Sequence, residues 1–308
     1  MNGTTFNQLT MFHTIVKEGS ITKAAQKLEI ASPSVSNALK ALEEELGLPL
    51  FTRTTRRIEL TEAGRLLYER TLHPVGDLSF ALESISDLSK VPSGKVRLTT
   101  PKFVYQYLLK PIYADFCARY PQIELEISIS DAAIDILKED FDLGIRFGDR
   151  VEEGMIARQL TKPMKEALFV SESYQKKHGI PQSPEELKNH KLVQYRFIAS
   201  NQLAPLLLDN QGESLSVEMP NALIVNDTDV MLDAAKSGVG IGRIVEPMVK
   251  GSLDKQELIP VLEDYWYPYS ALYVYFHRNT QKAKRVRVLI DFLLEKTEML
   301  KTGASRSL

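Results

Sequence analysis

The chain has 308 residues, 44% of them hydrophobic and 25% charged, and 38 Lys and Arg stand against 40 Asp and Glu for a net charge of −2. That length suits two or three domains rather than one core, and the near-neutral balance excludes a uniformly basic coat, so a nucleic-acid surface has to be local. One cysteine, Cys117, excludes an internal disulfide and a multi-cysteine metal site, and His13, His73, His178, His190 and His277 show no metal-ligand spacing.

Residues 6–17 predict a first helix with Leu9, Phe12, Ile15 and Val16 on one side. Ser20 then caps a helix carrying Ile21, Ala24, Ala25 and Leu28 at the helical period. Residues 29–31 are too few for an element and read as a turn. Ser32 and Pro33 restart a helix, a hydroxyl cap followed by a proline where its missing N–H costs nothing. Val35, Leu39, Leu42 and Leu46 form one apolar stripe, which Gly47 and Pro49 end.

Two short helices across a tight turn, residues 21–40, make a helix-turn-helix candidate, whose second helix enters a major groove by its N-terminal residues. Ser34, Ser36, Asn37 and Lys40 lie off the stripe and suit base edges and phosphates; Thr22, Ser32 and Pro33 complete the candidate surface. Arg53, Arg56 and Arg57 precede the alternating Ile58, Glu59 and Leu60. This predicts a hairpin wing that carries guanidinium groups to phosphates or a minor groove. A plain helical pair explains the helices alone; the arginine wing favours DNA. Glu43, Glu44 and Glu45 fall at the far end of the helix, away from DNA.

The runs F-x-x-I-V-K-E-G-S-I-T-K-A-A-Q-K-L, P-S-V-S, L-E-E-E-L-G-L-P-L-F-x-R and L-T-E-A-G span residues 12–64. In that order they resemble the N-terminal domain of LysR-type transcriptional regulators. Two positions depart from the pattern: Ala31 and Ser32 stand where the family often has Ser-Gln, and Asn37 where it often has Arg. The winged domain is placed at residues 4–61.

Thr61 opens a long helix, a cap with an acid in its first turn, whose apolar side runs through Leu67, Leu78, Leu82, Ile85 and Leu88. His73, Pro74 and Gly76 interrupt it and predict a kink. Such a stripe wants a partner helix, in a dimer or on its own chain. The resemblance makes residues 62–90 the linker helix of a dimer. Val91, Pro92, Ser93 and Gly94 mark a boundary.

From Lys95 strand and helix patterns alternate: strands at 96–99, 123–129 and 142–147, helices at 104–120 and 132–138, implying a mostly parallel sheet. Further strands are expected at 156–160, 166–170, 192–195, 206–208, 214–217, 223–225, 239–241 and 271–276. Helices are expected at 173–178, 184–189, 228–237 and 282–300. Cys117 reads as a buried thiol on an amphipathic helix, with a redox thiol as the alternative. The resemblance implies an α/β fold overall. A two-lobed α/β domain at 95–301, like a type 2 periplasmic binding protein, would follow the helical winged domain. Lobe I would hold 95–162 and 266–301, lobe II 163–265, with a ligand cleft between them.

Residues 238–242, G-V-G-I-G, follow a helix and precede a strand, the reverse of a dinucleotide fingerprint, and read as a tight turn. No hydrolase, P-loop or zincin motif occurs, so no catalytic residue, metal or cofactor is assigned. Open α/β sheets bind ligands beyond the carboxyl ends of their strands. That rule selects Thr100, Pro101, Lys102, Phe103, Ser130, Phe147 and Gly148 in one lobe and Phe197, Asn201, Asn226 and Thr228 in the other. Thr100, Lys102 and the N–H groups after Pro101 suit a small anion. Thr100 and Thr228 as helix caps, with Lys102 solvated, are the plain alternative. Residues 265–269, Y-W-Y-P-Y, read as hinge packing.

The chain is thus expected to be a regulator that is not an enzyme. It would read an inverted repeat in double-stranded DNA as a homodimer or homotetramer under a small-molecule effector, with RNA polymerase a further candidate partner. No run of about 18 apolar residues and no secretory pattern occur, so no membrane is expected and the cytoplasm is the expected location. Two other readings stand: a C-terminal domain that only assembles the protein without a ligand, and an enzyme fused to a DNA-binding domain.

Overall fold

Phe12, Ile15, Val35, Leu39 and Leu42 are almost wholly removed from solvent, and they are the positions that the helical period selects. The computed structural model describes residues 3–53, 58–86, 91–132 and 135–302. Two units divide the chain, Met1–Lys90 and Val91–Leu308.

In the first unit α1 (Gly3–Glu18), α2 (Ile21–Lys27) and α3 (Ser32–Leu46) surround that core. The hairpin β1 (Phe51–Arg53) and β2 (Ile58–Leu60) follows, then α4 (Glu62–Ser86). Ser20 caps α2, its hydroxyl accepting from the Lys23 N–H at 3.5 Å. The turn onto α3 uses Glu29 in a left-handed conformation, φ 56°. Ser32 is not the cap of α3: Ala31 holds that place in extended backbone without a side-chain bond, and Ser32 is already helical. Gly47, φ 69°, closes α3 as a left-handed C-cap. Leu46 is 45% exposed, so the buried stripe ends at Leu42. Glu43 turns to the wing: its Oε1 accepts from the N–H of Leu50 (2.7 Å) and of Phe51 (3.4 Å).

The hairpin pairs Phe51 with Leu60 and Arg53 with Ile58, antiparallel. Thr61 Oγ1 accepts from the Gly64 N–H at 3.0 Å and donates to the Pro49 carbonyl at 2.7 Å. Gly64 has to be glycine, because a Cβ would collide with the Leu50 carbonyl oxygen. The expected interruption of α4 does not end it. The helix continues through Pro74 and Gly76 to Ser86; Leu88 lies outside the described residues.

In the second unit, lobe I is a five-stranded sheet of order β4-β3-β5-β15-β6: β3 (Gly94–Thr100), β4 (Ile123–Ile129), β5 (Leu143–Phe147), β6 (Ile156–Gln159) and β15 (Leu272–Phe276). β3 runs parallel to β4 and β5, while β15 returns antiparallel between β5 and β6. Helix α10 (Lys284–Thr302) buries Val286, Leu289, Ile290 and Leu293 in this lobe's core.

The helix expected at 104–120 is broken. It comprises α5 (Lys102–Val104), a π-helical turn Tyr105–Leu109, and α6 (Tyr113–Arg119). Pro111 lies at the break, with no N–H to donate and a ring that crowds the preceding turn. The helix expected at 132–138 is also absent among the described residues. Asp135 instead caps a turn, accepting from the N–H groups of Leu137 and Lys138, and Asp140 is left-handed at φ 58°. Cys117 is exposed rather than buried, since Phe116 takes the inward position of α6.

Lobe II is built on β7 (Met164–Val170). β12 (Gly242–Val245), β13 (Ile259–Val261) and β14 (Pro268–Tyr269) all pair with it antiparallel. Beside them β8 (Leu192–Tyr195) runs parallel to β11 (Asn221–Val225), and β9 (Leu206–Asn210) with β10 (Glu213–Val217) forms a hairpin. The helices are α7 (Glu172–His178), α8 (Thr228–Lys236) and α9 (Glu246–Asp254). The strand expected at 239–241 lies at β12 instead, and residues 184–189 form a tighter 3-10 turn. Because β14 pairs with β7, the chain rejoins the first sheet only after Tyr269, later than residue 266. Phe103 and Phe147 pack against the cores of both lobes.

Candidate functional site

Helix α3 presents a polar face by its pitch alone. With Val35, Leu39 and Leu42 turned inward, Pro33, Ser34, Asn37 and Lys40 are exposed and Ser32 and Ser36 are half-buried. Thr22 is exposed in the first turn of α2. Lys40 Nζ lies 3.5 Å from Glu44 one turn on, an exposed pair worth only a few tenths of a kcal/mol, on the order of 0.3–0.5. That leaves its ammonium available to a phosphate. The backbone of Arg53 sits in β1, whereas Arg56 and Arg57 lie outside the described residues.

The second site lies where strand ends of the two lobes meet. Lys102, just beyond β3, reaches across to lobe II: its Nζ is 2.6 Å from Asp227 Oδ2 and 2.7 Å from Asp229 Oδ2. One turn along, Gln106 Nε2 donates to both oxygens of Asp229, at 3.1 and 3.2 Å. Asp131, beyond β4, accepts from the Lys102 N–H at 3.3 Å and from the Tyr195 hydroxyl of lobe II at 3.3 Å. Asp227 also caps α8, its Oδ1 accepting from the N–H groups of Asp229 and Val230. The hydrogen bonds to Asp227 and then Asp229 hold the Lys102 ammonium well above its ordinary range, and the same bond to Lys102 lowers Asp227. Burial, then the charge of Asp131, pushes the Tyr195 phenol up to about 12.

Beside this clasp three rings form a column. Phe103 stacks on Phe147 at 5.4 Å between centroids, and Phe147 on Tyr269 at 5.1 Å. The Tyr269 hydroxyl donates to the buried carboxylate of Glu166 at 3.2 Å, and Arg243 stands 3.6 Å from its other oxygen. Arg243 also donates to the carbonyls of Pro205 (2.7 Å) and Ala204 (2.9 Å). Burial raises Glu166 toward its neutral form against the pull of Arg243 and the Tyr269 bond. Arg146, also buried, donates to the carbonyls of Ile145, Ser130 and Ala132 and to Thr99 Oγ1, and so pins the loop that carries Asp131.

This geometry revises several sequence expectations. The Lys102 ammonium and N–H, read as open to an anion, are both engaged. Neither threonine is a helix cap: Pro101 and Asp227 hold those places. Thr100 Oγ1 and Thr228 Oγ1 are buried and have no hydrogen-bond partner among the described residues. Ser130 serves through its carbonyl, as an anchor for Arg146. A side chain at Gly148 would meet the ring of Tyr273, and its N–H donates to the Ala271 carbonyl, so it shapes the crossover.

Phe197 sets its ring edge-on to Tyr195 at 5.7 Å. Asn201 closes the turn back to Phe197 with φ 56°, and Asn226 is exposed next to Asp227. Gln106, Asp131, Tyr195 and Asp229 escaped the strand-end reading. Two of them carried a signal: Asp131 directly follows Ser130, and Gln106 shares a helix face with Lys102 at i+4. Among the described residues, no cluster of His, Cys, Asp or Glu is placed to hold a metal ion, and no helix is long and apolar enough to cross a membrane.

Comparison with known proteins matches both units. The family described as bacterial regulatory helix-turn-helix protein, lysR family, matches residues 6–65, and the LysR substrate binding domain matches residues 89–298. The HTH-type transcriptional regulator CrgA of Neisseria meningitidis serogroup C is 31% identical over 297 residues, 95% of this chain and 97% of CrgA. The solved structure of a Neisseria meningitidis CrgA superposes with a TM-score of 0.60 at 28% identity, covering 94% of this chain and 98% of that one. Full-length AphB, a Vibrio cholerae virulence activator, superposes with a TM-score of 0.60 at 27% identity, over 94% and 99%.

Proposed function

The chain belongs to the LysR family of bacterial DNA-binding transcriptional regulators, and from that membership we propose how its two units divide the work. The first unit reads one half of an inverted-repeat operator through the exposed face of α3, with Ser34 and Asn37 at base edges. Lys40 and the wing arginines Arg53, Arg56 and Arg57 take phosphates. Two copies read the two halves, as a homodimer or a pair of homodimers in the cytoplasm, and RNA polymerase is the partner that receives the regulatory output. The second unit binds a small effector between its lobes and regulates without turning it over.

The observation that carries the effector reading is the clasp. Lys102, Gln106 and Asp131 of lobe I meet Asp227, Asp229 and Tyr195 of lobe II at the strand ends, where open α/β sheets hold ligands. A ligand seated there changes the lobe angle, and it acts only through its differential affinity for the two arrangements. One observation favours an assembly module instead: the clasp pairs its own charges, Lys102 with Asp227 and Asp229. Gel-shift titration of the full chain on DNA from its own upstream region, with and without a metabolite panel, separates the two. A shift in operator affinity with any metabolite supports effector control; operator binding indifferent to the whole panel supports the assembly module.

A further inference from the structure

We infer that the effector is a small zwitterion, with an ammonium group and a carboxylate on neighbouring carbons as in an α-amino acid. The inference rests on the reading that the interlobe site binds the effector. It follows from which charges face one another across the site. Among the described residues Lys102 is the cation paired with Asp227 and Asp229. Asp131 accepts from the Tyr195 hydroxyl and the Lys102 N–H, and Arg146 holds the carbonyls of Ser130 and Ala132 on either side of it.

A molecule entering between the lobes has to part Lys102 from the two aspartates. A simple carboxylate would satisfy Lys102 and leave Asp227 and Asp229 with one cation fewer. A simple amine would satisfy the aspartates and strand Lys102. The three side chains keep a third to a half of their surface in water, so exchanging a partner is favoured over losing one by a modest margin that grows as a ligand excludes that water. A zwitterion makes that exchange on both sides, its carboxylate to Lys102 and its ammonium to the aspartates.

The uncharged atoms fit the same orientation. Gln106 gives its Nε2 to Asp229 and leaves Oε1, an acceptor only, buried without a partner among the described residues. With Asp227 and Asp229 it makes a third acceptor for the three protons of an ammonium group. Thr100 is wholly buried, two residues before Lys102, and its Oγ1 has no partner among the described residues. The Thr228 hydroxyl, between the two aspartates in sequence, is in the same condition. Both hydroxyls can donate to a carboxylate.

The test is thermal shift on the full chain with three matched arms: the protein amino acids, the corresponding carboxylic acids without the amino group, and the corresponding amines without the carboxylate. At least one amino acid should raise the melting temperature by about 2–4 °C at saturation, while its two singly charged analogues do not. The variant D227N/D229N, which keeps the cap on α8, should lose at least about tenfold in affinity for that amino acid by calorimetry. It should bind the deaminated acid as well as or better than the amino acid.

An acid or amine that matches or exceeds its amino acid overturns the zwitterion and leaves the interlobe effector reading standing. Silence in all three arms overturns the zwitterion; silence across the metabolite panel as well removes the effector reading beneath it. Undiminished amino-acid binding by D227N/D229N overturns the placement.

Discussion

His13 is enclosed in the first unit among Phe12, Tyr68 and Thr71, and its environment fixes its proton. The Thr71 hydroxyl donates to the Leu67 carbonyl at 2.6 Å, so toward His13 it accepts, and the imidazole presents Nε2–H at 2.7 Å. Burial, with Lys17 nearby, lowers the ring from 6.5 to about 4. The unfolded chain therefore takes up a proton near 6.5 that the folded chain refuses until about 4. This contribution to stability is complete above pH 6.5 and is lost as pH falls toward 4, about 3 kcal/mol in all. Urea denaturation followed by circular dichroism at pH 7 and pH 4 should show this loss in the wild type and not in His13→Gln, and equal losses would mean that the ring protonates in place. A buried charge in lobe II makes a second test. Arg243→Met leaves Glu166 without its cation and removes bonds to two carbonyls. It should cost about 3–5 kcal/mol. Trp266, the single tryptophan and nearly fully buried, reports that transition by fluorescence, and the double change with Glu166→Leu should recover part of the loss.

At the scale of elements, α3 is where local sequence and the proposed DNA surface coincide. Its apolar spacing fixes which residues turn inward, and therefore that Asn37 turns outward. Asn37→Ala should relax operator preference at one position of each half-site, at about 1–3 kcal/mol, measured against a set of single-base operator variants. Equal discrimination by wild type and variant would remove Asn37 from the base edges. The same pattern reading placed β4 and β8 to the residue, because alternation and bounding turns agree there. It failed where two signals compete. The amphipathic pattern continues across Pro111 although the backbone cannot, so one helix was expected where two stand. Val239 and Ile241 look strand-like, but Gly238 at φ 74° is still turning the chain. β12 opens at Gly242, where a Cβ would strike Phe169 and Ala235. Helix α9 contains Pro247 and Gly251, which hid it. Strand ends made Lys102 legible on the lobe I side of the clasp and residues 226–228 on the other, but not Gln106, Asp131, Tyr195 or Asp229. The pairing itself was not legible, because Lys102 meets Asp227 across 125 residues and no local pattern encodes that meeting.

At the scale of the whole molecule, an inverted repeat has meaning only for a protein that presents two reading heads. Helix α4 leaves apolar surface exposed at two described positions: Leu66 is 57% exposed and Leu78 40%. Leu78, Leu82 and Ile85 follow at i, i+4 and i+7, one helical face; the side chains of Leu82 and Ile85 lie outside those described, so Leu78 is the position to test. A lysine there would bring two like charges together in a paired-helix seam and remove its apolar contact. Leu78→Lys should weaken self-association at least about tenfold, which is about 1.4 kcal/mol. Sedimentation should show the loss directly. In gel shifts the full operator should lose affinity to a similar degree, while binding to an isolated half-site stays at the wild-type value. That last comparison separates a seam from a folding defect, since a damaged first unit would lose both. A variant that sediments as the wild-type oligomer and binds the full operator undiminished would place the pairing surface elsewhere, and Leu78 would then be an exposed leucine without a partner helix.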